Sequence, residues 1–257
     1  MTKLQEDLQL WIGQEINKFS QNCGVVSQWR EPLVAVAAAE DELFAELKQA
    51  VGPEHKLPED MLLGARSVIC YFLPFVPAIP NSNSKGRRAS LPWFRAYLET
   101  NQLIGRINLK LKQELKKLGG KADYAAATHN FSREKLISFW SHKHAAYITG
   151  LGRFGDHQML ITDRGSAGRI GSLVTDLEIT RDTRPDQEYC LNRAGEECNR
   201  CQERCVFGAL TAAGLDKEKC YQICLKNVDF YKSANADVCG KCTTLVPCAL
   251  KNPVADA

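Results

Sequence analysis

Nine cysteines lie between Cys190 and Cys248, and the rest of the 257-residue chain holds two, Cys23 and Cys70. This crowding constrains the fold more than any other feature. It divides the chain into a long cysteine-poor part and a short cysteine-rich part. The N-terminal MTKLQEDLQLWIGQEI has no positive start followed by an apolar run, as a secretory leader would. No apolar stretch approaches the ~18 residues of a membrane span. The chain reads as cytoplasmic with no membrane association. Disulfides are rare in that setting, and an odd total of eleven cysteines argues for metal ligation.

Within the crowded segment, CNRCQERCVFGAL (198–210) fills three places of the iron–sulfur run C-x2-C-x2-C-x3-C-P. Cys198, Cys201 and Cys205 take the last three cysteine places. The first falls on Gly195, and the proline place is Val206. A second motif, CGKCTTLVPC, supplies Cys239, Cys242 and Cys248. In paired motifs of this kind the last cysteine of each crosses to the other cluster. Crossing over groups Cys198, Cys201 and Cys248 in one set, and Cys205, Cys239 and Cys242 in the other. Each set needs a fourth ligand. Cys190 can fold back for the first, and Cys220 or Cys224 completes the second. Structural zinc is the alternative, but zinc sites usually pair two C-x-x-C units, and the triplet spacing suits iron–sulfur clusters better. Cys70, in an apolar run, reads as a small core residue.

The part before the cysteines mixes helical and extended patterns. Leu4, Leu8, Trp11, Ile12, Ile16 and Phe19 recur at helical spacing, as do Leu43, Phe44, Leu47 and Val51. SVICYFLPF (67–75) reads as a buried strand, and Ile104 to Leu118 as a helix stopped by Gly119–Gly120. ADYAAAT (122–128), HQMLIT (157–162) and RIGSLVTDLEI (169–179) read as further strands, the last two around the turn DRGSAG. A net charge of +3 is too small to argue for nucleic acid, and the lysines at 110, 112, 116 and 117 read as a solvated face.

The segment AAYITGLGRFGDHQMLITDRGSAGRIGSLVTDLEI (145–179), followed by the paired cysteine motifs, resembles the epoxyqueuosine reductase family and its shorter paralogues. The specific likeness runs from residue 145 onward; the earlier part fits loosely. LDKEKC (215–220) is similar to the family's extra ligand segment, which implies Cys220 rather than Cys224. EYCL (188–191) is similar to an element preceding the first motif in the short paralogues, which implies Cys190 in place of Gly195. The implied ligand sets are therefore Cys190, Cys198, Cys201 and Cys248, and Cys205, Cys220, Cys239 and Cys242.

The resemblance implies an α+β chain: a nitroreductase-like cobalamin-binding α/β domain over 1–182, then a two-cluster bacterial-ferredoxin-like domain over 183–257. It implies two 4Fe–4S clusters relaying electrons to base-off cobalamin, a low-potential donor such as ferredoxin or flavodoxin, and a small-molecule substrate. No histidine of the sequence has the aspartate two places earlier that an Asp-x-His-x-x-Gly cobalamin site requires. The family's proton-donating aspartate has no counterpart near Leu136. The chain stops at residue 257 without the family's tRNA-gripping extension, so tRNA is not the expected substrate. It shows no twin-arginine leader of the kind that the related reductive dehalogenases usually carry.

SHKHAAY (141–147) offers His142, Lys143, His144 and Tyr147. His142, His144 and Tyr147 are the candidate catalytic groups, since His and Tyr can donate protons; the plainer reading is an imidazole bonded to a loop and a solvated lysine. Gly150, Leu151, Gly152, Arg164, Gly165 and Ser166 are candidate cofactor contacts. The alternatives are simple turns for the glycines and surface placement for Arg164 and Arg169. Three functions remain open: a corrinoid-dependent reductase of a small molecule, an epoxyqueuosine reductase acting on tRNA, and a non-enzymatic ferredoxin-type carrier.

Overall fold

The computed structural model describes residues 2–256. The chain opens with α1 (Lys3–Ser20), β1 (Leu33–Ala38), α2 (Glu42–Ala50), the single turn α3 (Pro58–Met61), β2 (Ser67–Pro74), α4 (Ala78–Ser82) and the long α5 (Leu91–Lys117). Short strands β3 (Ala122–Asp123), β4 (Phe131–Ser132) and β5 (Ile137–Ser138) lead to α6 (His142–Ile148), β6 (Arg153–Phe154), β7 (Leu160–Ile161) and β8 (Gly168–Thr175). The cysteine-rich part adds α7 (Arg200–Glu203), β9 (Leu210–Thr211), β10 (Gly214–Leu215), α8 (Lys217–Tyr231) and 3-10 turns at Lys241–Thr243 and Val254–Asp256.

Local chemistry fixes the longer helices. At α1, the Thr2 backbone N–H donates to Gln5 Oε1 at 2.7 Å while the Gln5 N–H donates to the Thr2 hydroxyl at 3.5 Å, a reciprocal cap. Leu8, Ile12, Ile16 and Phe19 form its buried stripe. Ser90 caps α5 and Pro92 occupies its first turn, where a missing N–H costs nothing.

The main sheet runs in the order β1-β2-β8-β3, every pair antiparallel. β2 is buried along its whole length, because helices cover both faces. Ile69, Tyr71 and Leu73 pack with residues of α1 and α5 on one side. Val68 and Cys70 pack with Phe44, Leu47, Ala145 and Ala146 of α2 and α6 on the other. A strand covered twice needs apolar residues at every position, so SVICYFLP reads as a continuous run rather than an alternation. The result is a mixed α/β arrangement.

Two expected strands are shorter than read, and three elements were not foreseen. The ADYAAAT strand shrinks to Ala122–Asp123, because β8 offers it only Val174 and Thr175 as partners. The HQMLIT strand shrinks to Leu160–Ile161, because Gln158 takes a left-handed backbone (φ 62) that breaks the extended run. β1, α6 and α8 were not anticipated; LVAVAA is too small and uniform to display a period.

The cysteine-rich part is tied to the sheet by main-chain bonds. Ser166 N–H donates to the Cys248 carbonyl at 2.9 Å and Ala167 N–H to the Ala249 carbonyl at 2.9 Å. Gly165 (φ +84) permits this approach, since a Cβ there would lie 2.4 Å from the Ala249 oxygen. Gly240 does the same on the other flank: it sits at φ +69, and a Cβ would collide with the Trp93 indole at 2.2 Å. Beside it, Lys241 is 1% exposed, and its Nζ donates to the carbonyls of Asn83 and Lys85, each at 2.8 Å.

Lys241→Met keeps much of the stem but strands both carbonyls. A loss of about 1–3 kcal/mol for each acceptor left unsatisfied is expected, measured by denaturant unfolding. A variant as stable as the parent would show that this clamp contributes nothing.

Candidate functional site

Two groups of buried and half-buried thiols face two adjoining spaces. Cys190, Cys198, Cys201 and Cys248 line a small enclosure together with His157 and Val246. Cys205, Cys220, Cys224, Cys239 and Cys242 line the wall of a larger cleft. The folding chain thus brings together cysteines that the sequence separates by as many as 58 positions, from Cys190 to Cys248. Helices and turns present them: Cys201 on α7, Cys220 and Cys224 one turn apart on α8, and Cys242 in the 3-10 turn. Cys23 is exposed and Cys70 is buried in the sheet; neither joins these groups.

Burial shifts several of these thiols. Burial pushes Cys201 up to about 11, Cys239 up to about 11, Cys248 up to about 12 and Cys242 also upward. Such thiols keep their protons until a metal displaces them. Cys224 shares a hydrogen bond with Cys220 that drives the two apart: Cys220 is lowered and Cys224 raised. The Leu210 N–H donates to Cys205 Sγ at 3.3 Å. Among the described residues, no three His, Cys, Asp or Glu side chains close on one point as a single metal ion requires.

The cleft behind the second set brings in residues of the α/β layers. Tyr97 of α5, Lys143 of α6, Met159, Ser166 and Arg169 line it. Lys143 Nζ donates to the Gln158 carbonyl at 2.8 Å. Its pKa is pushed down to about 8, first by burial and then by the charge of Lys217. Arg169 stacks over the Tyr97 ring at 4.4 Å. Its Nη2 donates to the Ala127 carbonyl at 3.3 Å, and its buried Nε has no partner among the described residues. The Tyr97 hydroxyl donates to Asp237 Oδ1 at 2.9 Å.

The candidates from the sequence divide. Ser166 lines the cleft, and its hydroxyl donates to the Cys248 carbonyl at 3.0 Å. Gly165 serves the main-chain clamp. Gly150 and Gly152 serve close packing, facing the carbonyls of Thr183 and Ile161, and Leu151 belongs to the core. Arg164 is exposed, its Nη2 3.2 Å from Glu31. His142, His144 and Tyr147 do not figure in the cleft lining. His142 Nε2 donates to the Ala126 carbonyl at 2.9 Å, and its Nδ1 lies 2.7 Å from the Ser172 hydroxyl. His144 Nδ1 lies 2.7 Å from the Ser141 hydroxyl. Tyr147 accepts from Arg153 at 3.3 Å. Of the SHKHAAY segment, Lys143 is the side chain that reaches the cleft. Tyr97 and Asp237 were not singled out at all; they stand alone in unremarkable helical and loop sequence, and no local signal marks them.

No protein-family model and no curated protein matches the chain in sequence. In fold it is similar to solved epoxyqueuosine reductases. A selenomethionine-labelled form aligns over 93% of this chain and 66% of its own, at 17% identity and TM-score 0.56. The Bacillus subtilis enzyme aligns over the same shares at 15% identity and TM-score 0.56. A reductive dehalogenase, described with a mechanism for B12-dependent dehalogenation, aligns over 87% of this chain and 30% of its own, at 17% identity and TM-score 0.56. The chain thus spans just under two thirds of those reductases and a smaller share of the dehalogenase.

Two outcomes follow for the site. Cys220→Ser should cost one cluster on anaerobic reconstitution, and Cys224→Ser should keep both, read by iron and sulfide content; the reverse pattern would exchange their roles. The second concerns acid. Burial holds His142 down at about 4 and His144 at about 3, below the ~6.5 of a free imidazole. A depressed histidine contributes stability that is complete above the unfolded value and is lost as pH falls through the folded one. The melting temperature should therefore drop between pH ~6.5 and ~4, and His142→Gln should flatten that slope. An unchanged slope would mean that His142 is not held neutral.

Proposed function

We propose that this chain is a reductase with two 4Fe–4S clusters and base-off cobalamin, acting on a small molecule. One observation carries the reading: two separate thiol sets adjoin, and the second forms the wall of a cleft that also holds Lys143 and Arg169. On this reading the α/β layers are a nitroreductase-like unit over 1–182 and the cysteine part a ferredoxin-like unit over 183–257. Cys190, Cys198, Cys201 and Cys248 hold one cluster, and Cys205, Cys220, Cys239 and Cys242 the other. A low-potential carrier such as ferredoxin or flavodoxin delivers the electrons.

The residues suit a corrinoid without a histidine ligand. His157 is the histidine that lines the cleft, and both its nitrogens are engaged, one 3.1 Å from the Met159 N–H and the other 3.4 Å from Cys248 Sγ. The cleft measures about 280 Å³, less than a whole corrinoid occupies, so the reading requires part of the corrinoid to lie outside it. Bound there, reduced cobalamin would supply the strongly reducing or nucleophilic centre. The protein's own part is positioning, water exclusion and proton supply. Trp93, Met159, Phe207 and Ile223 give the cleft apolar walls. Arg169 lines the cleft, and its guanidinium suits an anionic or amide oxygen. Lys143, with a pKa of about 8, carries a proton at neutral pH and releases it readily. It takes the place in the chemistry that the family's aspartate leaves open, in preference to His142, His144 and Tyr147, which do not line the cleft.

Anaerobic reconstitution tests the reading. Iron and sulfide should each approach about eight per chain, four for each cluster, and added cob(II)alamin should bind with no nitrogen superhyperfine splitting in its paramagnetic resonance spectrum. Stoichiometric zinc without broad visible absorption would contradict the clusters. Failure to bind cob(II)alamin, or a nitrogen splitting, would contradict the corrinoid site.

A further inference from the structure

His157 stands between the two thiol groups. It lines the enclosure of Cys190, Cys198, Cys201 and Cys248 and also the cleft of the second set. Its side chain is 3% exposed, and hydrogen bonds define its proton. The Met159 N–H lies 3.1 Å from Nδ1. A backbone amide only donates, so Nδ1 accepts and carries no hydrogen. A neutral imidazole with a bare Nδ1 has its hydrogen on Nε2. Nε2 lies 3.4 Å from Cys248 Sγ, so the contact is an N–H···S bond with the sulfur accepting.

The ring is held there by its neighbours. Gly155 leaves the space it needs, because a Cβ at that position would lie 2.8 Å from His157 Cε1. Asp156 is tied to Asn192 at 2.8 Å and Arg193 at 3.0 Å, which links the histidine loop to the turn after Cys190. Gln158 adopts a left-handed backbone (φ 62), and Lys143 fixes its carbonyl. Such a conformation persists only where the surroundings hold it.

We propose that His157 is a positioning residue of the electron relay: its Nε2–H bond to the Cys248 thiolate raises the reduction potential of the cluster held by Cys190, Cys198, Cys201 and Cys248. The inference rests on the two-cluster reading above. The step concerned is the arrival of one electron from the low-potential carrier; no covalent bond breaks and no proton moves. The reduced cluster is one charge more negative than the oxidised one, so a donor to its sulfur stabilises the reduced form more. The effect falls on the set that contains Cys248, and the second set keeps its own potential.

The test compares the full-length protein with His157→Leu and His157→Gln, each reconstituted anaerobically, with iron and sulfide assayed and both clusters titrated by paramagnetic resonance. All three should load about eight irons, four to a cluster. In His157→Leu one cluster should become tenfold harder to reduce, a fall of about 59 mV for one electron, while the other moves far less. His157→Gln retains an N–H and should recover most of the fall. Unchanged potentials at full iron would overturn the inference. So would a fall that His157→Gln fails to recover, and so would loss of half the iron in both variants, which would make the residue a structural support. A parent protein that takes up no iron would overturn the two-cluster reading itself, before any variant is compared.

Discussion

The clamp between the start of β8 and the last cysteine is the constraint on which the site depends. Ser166 and Ala167 bond the carbonyls of Cys248 and Ala249, and Arg30 donates to the carbonyls of Phe75 and Leu250 at 3.0 and 2.9 Å. β8 is an interior strand of the sheet, so Cys248 is bonded to the chain just before a strand paired on both edges. The first thiol set closes on Cys248, and the cleft opens beside Ser166. The sheet and the thiols thus form one mechanical unit, although the cysteine part has little apolar core of its own: Ile161 of β7 lies among its buried residues.

The energetics of that unit pull in two directions. Thiols pressed into an apolar interior resist ionisation, which the raised values of Cys201, Cys239 and Cys248 express. Ligation exchanges their protons for metal charge and so couples folding of the segment to metal uptake. Buried cations answer from the other side. Lys241 lies between Cys239 and Cys242 in sequence and pins the loop at Asn83, while Lys143 and Arg169 face the cleft. Placing cations near groups that become anionic lowers the cost of collecting so many thiolates in one small volume.

The sequence displayed what has a period or a spacing. The stripe Leu8, Ile12, Ile16 and Phe19 and the apolar run through Ile69 and Tyr71 were legible because burial imposes their patterns. The cysteine groups were legible in their spacing; the chain brings Cys190 to the first group, and both Cys220 and Cys224 to the second. The cleft was largely hidden. Gly150 and Gly152 look like a cofactor loop in sequence but are spent on contacts with Thr183 and Ile161. His142 and His144 look like acids but support α6. Tyr97, Lys143, Arg169 and Asp237 come from elements far apart in the chain and meet only through tertiary packing, which leaves no local trace.

Magnetic coupling between a reduced cluster and cobalt tests the central claim most directly, because the second thiol set and the cleft share one wall. The full-length protein, reconstituted anaerobically and loaded with cob(II)alamin, would be poised so that cluster and cobalt are both paramagnetic. The account predicts a spectrum broadened or split by their interaction, lost when Cys220→Ser removes the cluster beside the cleft. Two sharp, superposed spectra, each identical to that of its isolated centre, would contradict it.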